Sequence, residues 1–337
     1  METPLVIQEL SQVAQARQHA ALVAQTHGFS EALSAKVALI VTEAATNLIK
    51  YAGGGTILTR PYAEIDHVGL EVLVLDRGPG MAHPETSARD GYSTGGTLGL
   101  GLGGIARASS FHEIYTSEKL GTAILARVRS DQPVEPAGRP GQWLTVSGLS
   151  VPKAGQESCG DAWATRWVAG ALWVTAVDGL GHGPQAARAA HEAIRVFEQA
   201  DASATPYDVI RNAHVALKAT RGAVMAVAVI RPVLGSFEFA GIGNISTLLI
   251  TPEEVRRLPS TDGTVGYSVR TIREQSYPWV PGSVLALSTD GLSTRWNLAG
   301  HPGLQQRHPA LIASVIHRDF WRASDDATIV VVKDEQA

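Results

Sequence analysis

The chain has 337 residues, 45% hydrophobic and 18% charged, with a net charge of −4. That length is a prior for two domains, and the apolar share can fill two cores, which excludes a disordered or collagen-like chain. The weakly acidic balance lacks the basic field of a nucleic-acid binder, and the single cysteine, Cys159, excludes a disulfide framework or a cysteine-rich zinc site.

In chain order, Gln8 to Thr26 is rich in Ala and Gln without proline, which predicts a first helix. A second helix is predicted from Ser34 to Tyr51, stopped by Gly53-Gly54-Gly55. Its Val37, Ile40, Val41, Ala44 and Leu48 recur at spacings of three and four and form one apolar face. Strands are expected at Thr56 to Thr59 and at Gly69 to Leu75, the latter nearly continuous in apolar residues and so central in a sheet. Three prolines and two glycines then crowd Ser130 to Gln142, the best linker in the chain. The expected division is 1–130, a linker at 131–141, and 142–337. Limited proteolysis is expected to cut first between Ser130 and Gln142 and to leave two folded fragments, because such a segment forms no packed element. First cleavage elsewhere, with this stretch resistant, would refute the boundary.

Beyond the linker, strands are expected at Leu144 to Ser150, Ala162 to Val168 and Ala171 to Val177. Helices follow at Pro184 to Gln199 and Pro206 to Thr220. Further strands run at Ala223 to Ile230, Ser236 to Ala240, Thr247 to Thr251, Val284 to Ser288 and Ala327 to Lys333. Many strands around two helices predict an α+β sandwich. No apolar run reaches the roughly 18 residues of a membrane span. Met1 to Leu10 has no basic region followed by an apolar core, unlike a signal peptide. The expected location is the cytoplasm, without membrane or nucleic-acid partner.

Three features of the first half bear on chemistry. Glu43 and Asn47 lie four apart on one helix face, where a carboxylate and an amide can orient a hydroxyl and hold a metal through oxygen. Alone, such a pair is most simply a polar pair on a solvated helix face. Asp76-Arg77-Gly78-Pro79-Gly80 directly follows the apolar strand. The aspartate can accept from an adenine amino group, and the glycines allow close approach to a flat base. Alone it is as readily an ordinary strand-to-turn junction. Gly99 to Gly104 opens a helix whose bare N–H groups suit phosphate oxygens. A polar loop rather than a strand precedes it, so it is not the dinucleotide fingerprint.

Taken in this order, with Tyr51 to Gly55, Asp90 to Gly96 and Gly121-Thr122, these motifs make residues 1 to 130 resemble the GHKL ATP-binding fold. Within it the match is to the small anti-sigma-factor serine kinases of RsbT type. The resemblance implies a two-layer α/β sandwich binding Mg-ATP, with Asn47 on Mg²⁺, Glu43 as catalytic base and Asp76, Gly78 and Gly80 at the adenine. It sets Gly99, Gly101, Gly103 and Thr122 near the phosphates. Kinase and ATP-binding sensor remain open alternatives.

The second half sets aspartates at strand ends: Cys159-Gly160-Asp161, Asp178-Gly179-Leu180-Gly181-His182-Gly183, Asp290-Gly291 and Asp325-Asp326. Any single Asp-Gly is most simply a turn. Four such motifs supply hard oxygen donors suited to Mg²⁺ or Mn²⁺, and two bridged metals can activate water for attack on phosphorus. With Ala240 to Asn244, they make residues 142 to 334 resemble the SpoIIE and RsbX-like branch of metal-dependent (type 2C-like) phosphatases. That implies an αββα sandwich with a dinuclear centre. Asp178 bridges the metals, the Gly179 carbonyl joins one, Asp290 and Asp325 complete the other, and Asp161 is an outer carboxylate. Asp178 and Asp290 are thus the catalytic pair. Either Asp325 or Asp326 can be the ligand, with Asp325 favoured as the first of the pair. Cys159 is expected to pack rather than attack, His182 to pack or to donate a proton, and Trp163, Trp167 and Trp173 to fill core and sheet edge.

Relatives of both halves act on serine or threonine of STAS-domain proteins in bacterial partner switching. The resemblance therefore implies a bifunctional regulator that dephosphorylates, and phosphorylates, a STAS-domain protein. A sigma factor, a stressosome-type complex and a second copy of the chain are further candidate partners. The alternatives are a phosphatase with a nucleotide-sensing domain, and a protein that sequesters a sigma factor or STAS protein.

Overall fold

The computed structural model describes residues 4–64, 67–81, 101–131 and 143–336. The Asp90 to Gly96 motif, Gly99 and nearly all of the linker lie outside them. Contacts divide the chain into two compact units: Glu2–Gly138 with Asn297–Arg307, and Arg139–Trp296 with His308–Ala337.

The first unit has two layers. After β1 (Leu5–Ile7) come α1 (Leu10–Thr26) and α2 (Glu31–Asn47), then β2 (Gly55–Ala63), β3 (Val68–Leu75), α3 (Gly101–Ala108), β4 (Phe111–Ser117) and β5 (Gly121–Arg129). The strands form one antiparallel sheet in the order β1-β2-β3-β5-β4, with the helices packed over one face. The five apolar positions read from the sequence of α2 are all buried there, against Val72, Ile124 and Ala126. Ser30 caps this helix by accepting from Leu33 N at 3.4 Å. Its regular turns end at Asn47. Leu48–Ala52 continues as a π-turn, closed when Gly53 N bonds the Leu48 carbonyl and Gly53 turns left-handed at φ 72°.

The expectation of no membrane-length apolar stretch needs one correction. Glu31–Ala52 is long and apolar enough to cross a membrane by length and composition, because the π-turn extends α2. Of that window 44% is buried inside the protein, so its apolar face is spent on this core.

The other face of the sheet carries a buried ion cluster. Arg60, Glu71 and Arg127 stand side by side on β2, β3 and β5. Glu71, 1% exposed, accepts from Arg60 Nε at 2.7 Å and from Arg127 Nη2 at 2.9 Å, and Arg127 lies over the Tyr62 ring at 4.2 Å. Glu71→Ala removes the carboxylate that two buried guanidinium groups share, leaving Arg127 with Glu64. It is expected to cost roughly 3–5 kcal/mol in denaturant unfolding of this unit.

The second unit is a four-layer αββα sandwich. Its strands are β6 (Leu144–Val151), β7 (Asp161–Val168), β8 (Ala171–Gly179), β9 (Ala223–Arg231), β10 (Ser236–Ile242), β11 (Ser246–Ile250) and β12 (Val255–Leu258). A short hairpin of β13 (Gly263–Thr264) and β14 (Ser268–Val269) follows, then β15 (Glu274–Pro278), β16 (Val284–Ser288) and β17 (Ala327–Asp334). One antiparallel sheet runs β15-β10-β9-β8-β7 and the other β12-β11-β16-β17-β6. Leu172, Phe237, Leu285 and Val330 fill the space between them, with Trp163 and Trp167 packed at its margin. Helices α4 (Pro184–Glu198) and α5 (Pro206–Ala216) cover the first sheet, where Trp173 meets Phe197 edge-on, and α6 (Pro309–Phe320) covers the second.

Most predicted strands in this half stand within one or two residues of their expected ends. Helix α6 and strands β12 to β15 were not anticipated.

Candidate acidic centre and nucleotide site

The acidic centre lies where β7 and β8 meet, at the end of the first sheet. Asp161 and Asp178 are cross-strand partners. The chain turns sharply after Asp178. A Cβ on Gly179 would lie 2.2 Å from the Ala186 carbonyl, so only glycine lets α4 approach this closely. Gly179 N bonds the Gly160 carbonyl at 3.1 Å, tying the loop back to β7. A cavity of about 530 Å³ opens beside it, with Asp178, Asp290 and Asp325 in its wall together with Lys153, His182 and Asn244.

Each carboxylate has a distinct environment. Asp161 is buried, and its Oδ2 accepts from Thr289 Oγ1 at 2.6 Å. It supports the strand pair from behind rather than lining the cavity. Asp290 Oδ2 accepts from Asn244 Nδ2 at 2.8 Å. The two adjacent aspartates divide cleanly. Asp326, 2% exposed, accepts from Lys153 N at 2.7 Å and Gly160 N at 2.9 Å, and so fastens two loops. Asp325 is only half-buried and faces the cavity.

Negative charge accumulates here, offset only in part by Arg322 at Asp290. Burial, then Asp290, Asp325 and Asp326, push the Asp178 carboxyl up to about 7. Burial and then Asp178 raise Asp161 well above the ordinary carboxylate range, and burial and then Asp325 raise Asp290. The half-buried Cys159 thiol is also pushed up, by burial first and then Asp161, which makes it a poor nucleophile. His182 is exposed on the cavity wall.

Among the described residues, no group of three or more His, Cys, Asp and Glu closes tightly enough to hold a metal ion. The donor chemistry still fits divalent cations: hard oxygens, a shared cavity, and proton affinities raised by mutual repulsion.

A pH dependence follows. Folded Asp178 keeps its proton to about pH 7, whereas an unfolded aspartate loses it near 3.9. The folded chain therefore binds more protons between those values, and its stability is expected to fall as pH rises through that window. Thermal unfolding from pH 4 to 8 should show this slope, flattened in Asp178→Asn. Mn²⁺ should stabilise the wild type more at pH 7 than at pH 5, where protons compete.

In the first unit, Asp76 stands at the end of β3. Its Oδ1 accepts from Gly78 N at 2.8 Å and from Thr122 N at 3.0 Å. Gly121, at φ 84°, brings β5 so near that a Cβ would lie 2.2 Å from the Asp76 carbonyl. Thr122 was expected near phosphates. The structure pairs it with Asp76: its N–H donates to the Asp76 carboxylate and its carbonyl accepts from Asp76 N. Gly80 packs against the Ser117 carbonyl. Asn47, at the junction of α2 and its π-turn, lies against Gly101: a Cβ there would be 3.5 Å from either amide atom. Gly103 is buried within α3, and Glu43 is half-buried one turn before Asn47. The structure thus joins Asp76, Gly78 and Thr122 in one bonded cluster, and Asn47 with the glycine helix in another.

Asn244 and Thr289 were not singled out as site residues. Asn244 had a signal, in the Gly241-Ile242-Gly243-Asn244 string.

Comparison with known proteins matches residues 6–128 to the Histidine kinase-like ATPase domain family and residues 169–334 to the Stage II sporulation protein E (SpoIIE) family. Serine/threonine-protein kinase RsbT of Bacillus subtilis (strain 168) is 34% identical over 111 residues, covering 33% of this chain and 84% of RsbT. The chain belongs to the RsbT family. A SpoIIE-type phosphatase domain is fused to it. Among solved structures, a chain from "The bacterial stressosome: a modular system that has been adapted to control secondary messenger signaling" is 26% identical at TM-score 0.52, over 56% of this chain and 98% of that one. RsbX in complex with magnesium shares the fold, at 21% identity and TM-score 0.52 over 56% of this chain and 94% of RsbX. A kinase-like ATPase domain and a phosphatase domain in one chain mark a partner-switching regulator.

Proposed function

We propose that this chain removes phosphate from phosphoserine or phosphothreonine of a STAS-domain protein, and that its RsbT-like unit binds Mg-ATP and phosphorylates the same class of target, in the cytoplasm. The convergence of Asp178, Asp290 and Asp325 on one cavity carries the phosphatase reading. These three, with the Gly179 carbonyl, are the groups that would hold two Mn²⁺ or Mg²⁺ ions, and Asp161 braces Asp178 from the neighbouring strand. Bound divalent ions supply an activated water for in-line attack on phosphorus. The chain's own polar groups do the positioning. Asn244 fixes the rotamer of Asp290, Thr289 holds Asp161, and Asp326 pins the Gly160 and Lys153 loops so that Asp325 turns to the cavity.

The kinase reading is supported by Asp76 and Thr122 at the base end and by Asn47 against the glycine helix. A phosphoserine carries about −1.5 to −2 charges, so adding or removing it switches docking of the partner. The test is to incubate the chain with candidate STAS proteins, with labelled ATP or with Mn²⁺, and to follow their phosphorylation. Phosphate release without transfer from ATP would retire the kinase half. Neither reaction, with binding retained, would leave a sequestering protein.

A further inference from the structure

A second cavity of about 560 Å³ lies beside the acidic centre and shares Asp262 and Gly263 with it. Its wall also holds Ser260, Arg270 and Arg273, from the segment between β12 and β15, and Gln275 of β15. Both arginines are exposed, and among the described residues neither has a hydrogen bond or ion pair. Neither is ion-paired with the carboxylates nearby, Asp262 in the same wall and Glu274, which accepts from Tyr207 N at 2.8 Å. Tyr267, at the tip of the β13–β14 hairpin that edges this groove, is 86% exposed, the most exposed of the large hydrophobic side chains among the described residues.

A groove that opens into a hydrolytic cavity holds what flanks the scissile group. Two unneutralised guanidinium groups select for carboxylates there. We infer that this groove binds an acidic segment flanking the phosphorylated residue of the substrate protein, with Arg270 and Arg273 as its specificity-determining residues. The inference rests on the phosphatase reading and assigns that site a substrate preference.

The probes are two labelled phosphoserine peptides of equal length, one flanked by Asp and Glu and the other by Lys, with p-nitrophenyl phosphate as a substrate too small to reach the groove. Wild type and the Arg270→Ala/Arg273→Ala double variant are compared by fluorescence anisotropy and by phosphate release under Mn²⁺. The wild type should bind the acidic peptide more tightly than the Lys-flanked one. The double variant should weaken binding and raise KM for the acidic peptide by roughly tenfold, the sum of two exposed charge contacts, with p-nitrophenyl phosphate turnover unchanged. Arg270→Glu/Arg273→Glu should reverse the preference. Equal affinity of wild type and variants for both peptides would overturn the inference. No turnover of any phosphoester by the wild type, with Arg-dependent binding retained, would remove the phosphatase reading and leave the groove standing.

Discussion

Asp178→Asn and Asp290→Asn are each expected to abolish phosphate release from a phospho-STAS protein under Mn²⁺ while leaving nucleotide binding unchanged. Removing even an outer contact of a metal ligand costs roughly 10–100-fold, and loss of a charged oxygen donor removes more. The two substitutions should differ in one respect. Burial and three neighbouring carboxylates push Asp178 up to about 7, and its neutralisation relieves them at once, so Asp178→Asn should be more stable than wild type in the absence of metal. Asp290→Asn keeps a partner for Asn244 and should change stability less. Near wild-type turnover in either variant, measured as released phosphate at saturating Mn²⁺, would exclude the assignment of these carboxylates to the metal centre.

The second large effect belongs to the nucleotide site. Asn47→Ala removes the oxygen proposed for Mg²⁺ and should weaken Mg-ATP binding. Asp76→Asn should weaken nucleotide binding even without Mg²⁺, because it alters the base contact, and it also disturbs the carboxylate oxygen to which Gly78 and Thr122 are tied. Glu43→Gln keeps shape and polarity, so ATP should still bind while transfer to a STAS protein falls by roughly 10²–10⁴-fold, the effect of a lost general base. Titration with labelled nucleotide and transfer of labelled phosphate read the three separately. Full, equal binding in all three would mean that these residues do not form an ATP pocket.

The elements legible in the sequence are those whose burial is one-sided or total over a short run. The face of α2 from Val37 to Leu48 repeats at helical spacing because only that face is buried, and Val284–Ser288 is a short apolar run inside a sheet. Helix α6 lacks such a signal: Pro309 to His317 are all buried, so no polar face marks its turns. Strands β12 and β15 fail for the opposite reason, being largely exposed. The aspartates could be read because each follows or precedes an apolar strand. The partners that hold them could not. Asn244 and Asp290 are 46 positions apart, Asp161 and Thr289 are 128 apart, and only the packed sheets bring them together. The choice between Asp325 and Asp326 likewise depended on where the Lys153 and Gly160 amides point, which no local pattern encodes.

The place of β17 has a temporal consequence. This strand pairs with β16 on one side and with β6 on the other, so the last strand to be synthesised is an inner one, and β6 stays unpaired until it arrives. The sheet of the first unit, by contrast, is complete by Arg129. On the ribosome, the nucleotide-binding half can therefore fold early, while the phosphatase half waits for almost the whole chain. A message truncated between Arg129 and Ala327 would carry the complete sheet of the first unit but would leave β6 of the second with an open edge.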